Sequence, residues 1–219
     1  MNSVGLVTIG QSPRTDITPD IASHLPDDVD IVETGALDRF ESASAVRDEV
    51  GPRADEPVFV TRLRDGSSVK VDRESVVELA RSRVAEMEPE VPVVGLLCTG
   101  DFPAFGVGVP VLEPGDLLRS WVDGIVADGT LGVVVPEPDQ LEQTYQKWSD
   151  FNIVTATGSP YDEETDMTDA AESIGTGTDL VVMDCMGYTP EMKDAVRQST
   201  QTGVLLGRSV LAKTATEVL

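Results

Sequence analysis

The sequence predicts an α/β protein of two pseudo-symmetric Rossmann-like (flavodoxin-like) halves, each built on a parallel sheet, with an interdomain cleft. Three observations carry this expectation. Short apolar runs alternate with helical patterns along the whole chain. The runs are apolar nearly throughout, as strands covered by helices on both faces must be. Two of them lead into a Cys and then a Gly-bearing loop, at Leu97-Cys98-Thr99-Gly100 and at Met183-Asp184-Cys185-Met186-Gly187.

Residues 4–9 read as the first buried strand, ending at Gly10, and residues 16–25 as a short helix stopped by Pro26. Residues 29–32 form a second strand, and 38–56 a loop-rich, partly helical stretch. Arg64-Asp65-Gly66 is a turn joining 57–63 to 67–71 in a hairpin. Asp72 caps a helix to Glu88, whose Val76, Leu79, Ala80, Val84 and Met87 recur at helical spacing. Residues 91–97 are a strand that runs into Cys98. In the second half, helices are expected at 115–128, 137–148, 162–174 and 209–218, with strands at 131–135, 152–156, 180–183 and 204–206. Thr189 and Pro190 read as the N-cap and first residue of a further helix. The first half is expected at 1–112, completed by 208–219, and the second at 113–207.

Charge excludes several functions. The 219 residues hold 16 Lys+Arg against 39 Asp+Glu, a net charge of -23. Such a chain repels nucleic acid and anionic membrane surfaces. The acids are spread along the chain, and only Lys70, Lys147, Lys193 and Lys213 supply lysine. That pattern suits hydration in molar salt, where the Debye length is ~3 Å and self-repulsion is screened. A salt-accumulating cytoplasm, as in a halophilic archaeon, is the expected setting. No stretch has the ~18 consecutive apolar residues of a membrane helix. Residues 1–10 lack a basic n-region and a cleavage site, so they read as a strand and not a signal peptide.

Two Cys make no disulfide framework, and His24 is the single His. Two Cys and one distant His are a poor metal set, and His24 reads as a surface residue at a helix end. No metal and no cofactor is expected. Gly106-Val107-Gly108 and Gly175-Thr176-Gly177 lack the context of a dinucleotide loop, and Asp162-Glu163-Glu164 reads as a solvated helix start. Trp121 and Trp148 read as packing residues.

In open α/β sheets ligands bind beyond the carboxyl ends of the strands. Cys98, Cys185 and Gly10-Gln11-Ser12-Pro13-Arg14 all fall at such ends. Each Cys alone reads more readily as a small core residue than as a reactive one. Together they suggest proton transfer at a carbon beside a carboxylate, one thiolate removing a proton and the other thiol supplying one on the opposite face. Ser12, Arg14, Thr99 and the amides after each Cys are candidate donors to that carboxylate, Arg14 by its bidentate fork. Asp184 disfavours a thiolate at Cys185 if it points the same way.

The segments 8–16 (Thr-Ile-Gly-Gln-Ser-Pro-Arg-Thr-Asp), 96–100 (Leu-Leu-Cys-Thr-Gly) and 183–188 (Met-Asp-Cys-Met-Gly-Tyr) resemble the signatures of the AroM protein family, as do 131–136 and Gln146-Lys147-Trp148. AroM proteins in turn resemble the aspartate/glutamate racemase superfamily, with its amino-acid and hydantoin racemases, maleate isomerase and arylmalonate decarboxylase. The resemblance implies two α/β halves with the active site between them, and one Cys on each half. Cys98-Thr99 fits the racemase pattern of Cys followed by Thr or Asn. Cys185-Met186 departs from it, and the His that often follows the second Cys in glutamate racemases is absent. The implied function is a cofactor-independent racemase, isomerase or decarboxylase acting at the α-carbon of a small carboxylate. Cys98 and Cys185 would be catalytic, with Gln11, Ser12, Arg14, Thr99, Gly100, Gly187 and Tyr188 around the substrate. A homodimer is a possible assembly. The alternative is a non-catalytic protein that binds or senses a carboxylate metabolite.

Overall fold

The structure is a computed structural model that describes residues 2–53, 57–162, 165 and 167–219. The chain divides into two compact units, Met1–Pro114 with Leu211–Leu219, and Gly115–Val210.

The first unit runs β1 (Ser3–Thr8), α1 (Thr18–Ala22), β2 (Asp30–Gly35), α2 (Ala43–Val50), β3 (Val58–Arg62), β4 (Ser68–Asp72), α3 (Arg73–Met87), β5 (Val94–Leu97) and β6 (Val111–Leu112). Its main sheet has the order β2-β1-β5-β6, parallel throughout. β1 and β5 are buried at every position, which is why they read as continuous apolar runs. Val7 packs in one cluster with Val84 and Met87 of α3 and with Val94 and Leu96 of β5. The Asp72 side chain accepts from the Ser75 N–H at 3.0 Å and starts α3, which buries Val76, Val77, Ala80, Val84 and Met87. β3 and β4 pair antiparallel around Gly66, whose φ of +87° suits the turn to glycine.

The second unit runs α4 (Pro114–Ile125), β7 (Thr130–Val135), a 3-10 turn (Pro138–Gln140), α5 (Leu141–Lys147), β8 (Asn152–Thr157), α6 (Met167–Ile174), β9 (Leu180–Met183), α7 (Pro190–Thr200), β10 (Gly203–Leu206) and the start of α8 (Gly207–Val218), whose residues from Leu211 on belong to the first unit. Its sheet has the order β8-β7-β9-β10, again parallel. The two sheets therefore share one plan: first strand inside, second at the edge beside it, third on its other side, fourth at the far edge. β5 and β9 are the third strands of the two plans, and each leads to a Cys.

Several boundaries differ from the sequence expectation. β2 continues to Gly35 because Glu33, Thr34 and Gly35 pair with β1 beyond the apolar run. α1 begins at Thr18, not Asp16, because the Asp16 side chain is turned onto Arg14. Residues 137–148 split into the 3-10 turn and α5, and β6, two residues long, shows no period to read. Of the expected helix start at Asp162-Glu163-Glu164, Glu163 and Glu164 lie outside the described residues, as does Asp166. No described helix is long and apolar enough to cross a membrane.

Candidate functional site

The turn after β1 is built from polar side chains that bind one another. Gln11 is buried; its Nε2 donates to the carbonyls of Leu37 (3.2 Å) and Phe40 (2.7 Å), and its Oε1 accepts from the Arg64 N–H (2.9 Å). Gln11 thus ties the β3–β4 hairpin and the loop after β2 to the turn. Asp38 is a hub that the sequence reading missed. It accepts from the Ser12 N–H (2.7 Å) and hydroxyl (2.6 Å), the Gly35 N–H (2.7 Å) and the Arg64 guanidinium (3.1 Å).

Arg14 is 3% exposed and meets a carboxylate from its own chain. Its Nε and Nη2 each lie 2.8 Å from the two Asp16 oxygens, and its Nη1 donates to the Thr8 hydroxyl at 3.1 Å. Burial pushes the Asp16 carboxyl up, but the Arg14 hydrogen bonds and charge, with Arg62 nearby, hold it below the usual aspartate value. The fork offered by sequence to a ligand is engaged by Asp16.

Cys98 follows β5 directly and is partly buried. Its Sγ accepts the N–H of Gly100, two residues on, at 3.4 Å. Thr99 between them is buried. Gly100 has no room for a side chain, since a Cβ there would stand 2.5 Å from the Phe59 ring. Phe59, Phe102 and Phe105 stack in series with centroids 5.6 and 5.9 Å apart, and Cys98 and Phe102 pack against the same core cluster.

Cys185 repeats this arrangement after β9. Its Sγ accepts the N–H of Gly187, again two residues on, at 3.4 Å. The Tyr161 hydroxyl, on the loop after β8, lies 3.6 Å from the same sulfur. A Cβ at Gly187 would stand 2.8 Å from that hydroxyl. Asp184 does not turn to the thiol. Its carboxylate takes the Lys147 ammonium at 2.8 and 2.9 Å and the Trp148 indole N–H at 3.0 Å. Tyr188 is fully buried, and its hydroxyl donates to the Gly158 carbonyl at 2.8 Å. Burial first, then the neighbouring Cys185, Asp184, Tyr161 and Glu137, push its phenol well above the usual range. Arg208, 2% exposed, donates to the carbonyls of Met186 (3.1 and 2.8 Å) and Gly187 (2.9 Å).

The AroM protein family matches residues 4–219. The chain belongs to the AroM family. A comparison with curated proteins gives no match. Among solved structures, glutamate racemase from Aquifex pyrophilus aligns with TM-score 0.60 and 11% identity, over 99% of this chain and 84% of that one. Arylmalonate decarboxylase aligns with TM-score 0.61 and 13% identity, over 98% and 91%. The maleate isomerase Iso from Pseudomonas putida S16 aligns with TM-score 0.57 and 12% identity, over 99% and 92%. At such identities the likeness is one of fold, and it covers both halves of this AroM chain.

Among the described residues, no three His, Cys, Asp or Glu gather so as to hold a metal ion. His24 is exposed, two residues past α1, and its carbonyl accepts from Thr216. Trp148 is fully buried packing, as read from sequence, but it also anchors Asp184. Asp38, Tyr161 and Arg208 escaped the sequence reading. An isolated Tyr or Arg carries no local pattern, and the contacts Asp38–Ser12, Tyr161–Cys185 and Arg208–Gly187 span 21 to 26 residues of the chain.

Proposed function

We propose that this AroM chain is a cofactor-independent enzyme that moves a proton at the α-carbon of a small carboxylate, in the manner of a racemase, isomerase or decarboxylase. The observation that carries the reading is the matched setting of the two thiols. Cys98 and Cys185 follow equivalent strands, and each sulfur receives an N–H from the glycine two residues on at 3.4 Å. Solved proteins of similar fold are named as racemases, a decarboxylase and a maleate isomerase, which supports the same chemistry.

In the racemase form one thiolate takes the α-proton and leaves an enolate-like carbanion. The other thiol then gives its proton to the opposite face, so the product is inverted and the two sulfurs have exchanged states. Ser12, Thr99 and the backbone amides after each Cys are the proposed donors to the substrate carboxylate. Gly100 and Gly187 keep the thiol loops free of side chains, and Gln11, Arg14 and Tyr188 hold the surrounding loops in shape.

The test is to incubate the protein in molar KCl and deuterated buffer with a panel of chiral small carboxylic acids and substituted malonates, following the α-proton by NMR. Deuterium incorporation, inversion or loss of carbon dioxide supports the reading. Acids that raise the melting temperature yet show none of these would overturn it and favour a carboxylate-binding protein.

A further inference from the structure

We propose that Cys185 rests as a thiolate at neutral pH, held so by the Tyr161 hydroxyl and by a Met186–Gly187 peptide that Arg208 locks in place. This deepens the proton-transfer reading and rests on it for its purpose, since a resting thiolate is the base such a reaction needs.

The geometry is specific. In a planar trans peptide the carbonyl and the next N–H point in opposite directions. Arg208 takes the Met186 carbonyl through Nε and Nη2, at 3.1 and 2.8 Å. Gripping that oxygen from behind orients the Gly187 N–H of the same peptide toward the Cys185 sulfur, 3.4 Å away. A charged donor on the carbonyl also polarises the amide and makes its N–H a stronger donor. The Tyr161 hydroxyl reaches the sulfur from a different loop, at 3.6 Å. It can do so because residue 187 has no Cβ, which would lie 2.8 Å from that oxygen and from Cζ of the ring. Hydrogen bonds to the charged form of a group favour that form, and so does a nearby cation.

The other charges around the loop do not undo this. Asp184, next in sequence, would oppose a thiolate, but both of its oxygens are bound by Lys147 of α5, and one also by Trp148. Tyr188 is a buried neutral phenol with its proton on the Gly158 carbonyl. Glu137, after β7, interacts with Tyr188, and Glu191, in the first turn of α7, interacts with Arg208. Arg208 is thus a cation whose bonds reach the thiol loop itself, while Lys147 binds Asp184.

The experiment reads alkylation of each Cys by iodoacetamide from pH 5 to 10 in molar KCl, resolved by peptide mass spectrometry. The midpoint of the pH profile is the readout, because a low-pKa thiolate is also a weaker nucleophile and a single rate would mix the two. The Cys185 midpoint is expected at or below pH ~7, about 1.5 units below the ~8.5 of a free thiol, so that about half or more of it is thiolate at pH 7. Tyr161→Phe removes one hydroxyl from a partly exposed side chain. It should raise the Cys185 midpoint and leave that of Cys98 unchanged. Arg208→Lys keeps the charge but loses the fork, and a folded variant should show a higher Cys185 midpoint too. A Cys185 midpoint above pH ~7, where the neutral thiol would dominate at neutral pH, overturns the proposal. So does a Tyr161→Phe midpoint that stays put or falls, since the sulfur would then be the donor in that contact. Turnover is not measured, so failure here leaves the proton-transfer reading standing, and a lack of any substrate leaves this result standing.

Discussion

Lys147 and Asp184 are joined by two hydrogen bonds, 2.8 and 2.9 Å long, one residue from Cys185. Their side chains are only 15% and 5% exposed, so the pair is largely buried, and the Trp148 indole completes it. Removing one partner of a buried pair leaves an uncompensated charge and costs ~3–5 kcal/mol, whereas replacing both by apolar groups is often neutral. Lys147→Met should therefore lower unfolding stability by about 3 kcal/mol, and Lys147→Met with Asp184→Leu should recover most of it. Denaturant unfolding of the two variants checks this. A cost for Lys147→Met below ~0.5 kcal/mol, typical of an exposed pair, would refute it.

The order of strands and helices was legible because the inner strands of the two sheets, β1 and β5 in one and β7 and β9 in the other, are buried almost throughout and so appear as unbroken apolar runs, while the edge strands β2 and β8 are only partly buried. The positions of Cys98 and Cys185 at strand ends followed from the same runs. The partners of those thiols were not legible. Tyr161 reaches Cys185 across 24 residues and Lys147 reaches Asp184 across 37, distances at which side-chain chemistry leaves no local period. Arg14 shows the opposite limit. Its bidentate chemistry was readable, but the carboxylate that takes it, Asp16, stands two residues away in an irregular turn, where spacing says nothing about which side chains meet.

The Arg14–Asp16 pair predicts an acid-sensitive component of stability. Asp16 is held below its ordinary value when folded, so its contribution is complete above the unfolded-state value of ~3.9 and is lost as pH falls through the lower folded value. Asp16→Asn leaves Arg14, 3% exposed, without its carboxylate, and should cost on the order of 3 kcal/mol at pH 7. It should also flatten the stability curve of the protein below pH 4. Unfolding curves from pH 2.5 to 7 that fall equally in both proteins would count against the pair.

Gly100 predicts a coupled packing effect beside Cys98. A Cβ would stand 2.5 and 2.6 Å from two atoms of the Phe59 ring, and that ring is itself stacked on Phe102. Gly100→Ala should destabilise by ~1–3 kcal/mol, as overpacking does. Phe59→Leu frees the space, so the double variant should be more stable than the sum of the single effects by about 1 kcal/mol. Strict additivity would mean the ring yields without cost.

Salt dependence sets two electrostatic effects against each other. Exposed pairs such as Arg81–Glu78 and Arg197–Asp194 contribute ~0–1 kcal/mol each and weaken as salt screens them. Self-repulsion from a net charge of -23 acts over the whole surface and weakens for the same reason. With 39 acids against 16 bases, repulsion should dominate. The melting temperature should rise by several degrees between 0.1 M KCl, where the Debye length is ~10 Å, and 1 M, where it is ~3 Å. A flat or falling melting temperature would show that the ion pairs outweigh the repulsion.

Single substitutions of the two thiols separate the reactions that the fold can support. A racemase needs one group to take the proton and another to return it on the opposite face. Cys98→Ser and Cys185→Ser should then each reduce inversion by several orders of magnitude, because a serine hydroxyl is far too weak an acid and base to replace a thiol near neutral pH. One variant should nevertheless still exchange the α-proton of a single enantiomer, since the surviving thiolate can remove and return a proton on its own face. If Cys185 is the resting thiolate, the surviving exchange belongs to Cys98→Ser. A decarboxylase behaves differently. Loss of carbon dioxide leaves the carbanion without any base, so one thiol suffices as the proton donor, and one of the two variants should keep nearly full turnover while the other loses it. Chiral chromatography together with NMR of the deuterated products distinguishes these patterns. Two variants that both invert at the wild-type rate would remove the thiols from the reaction altogether.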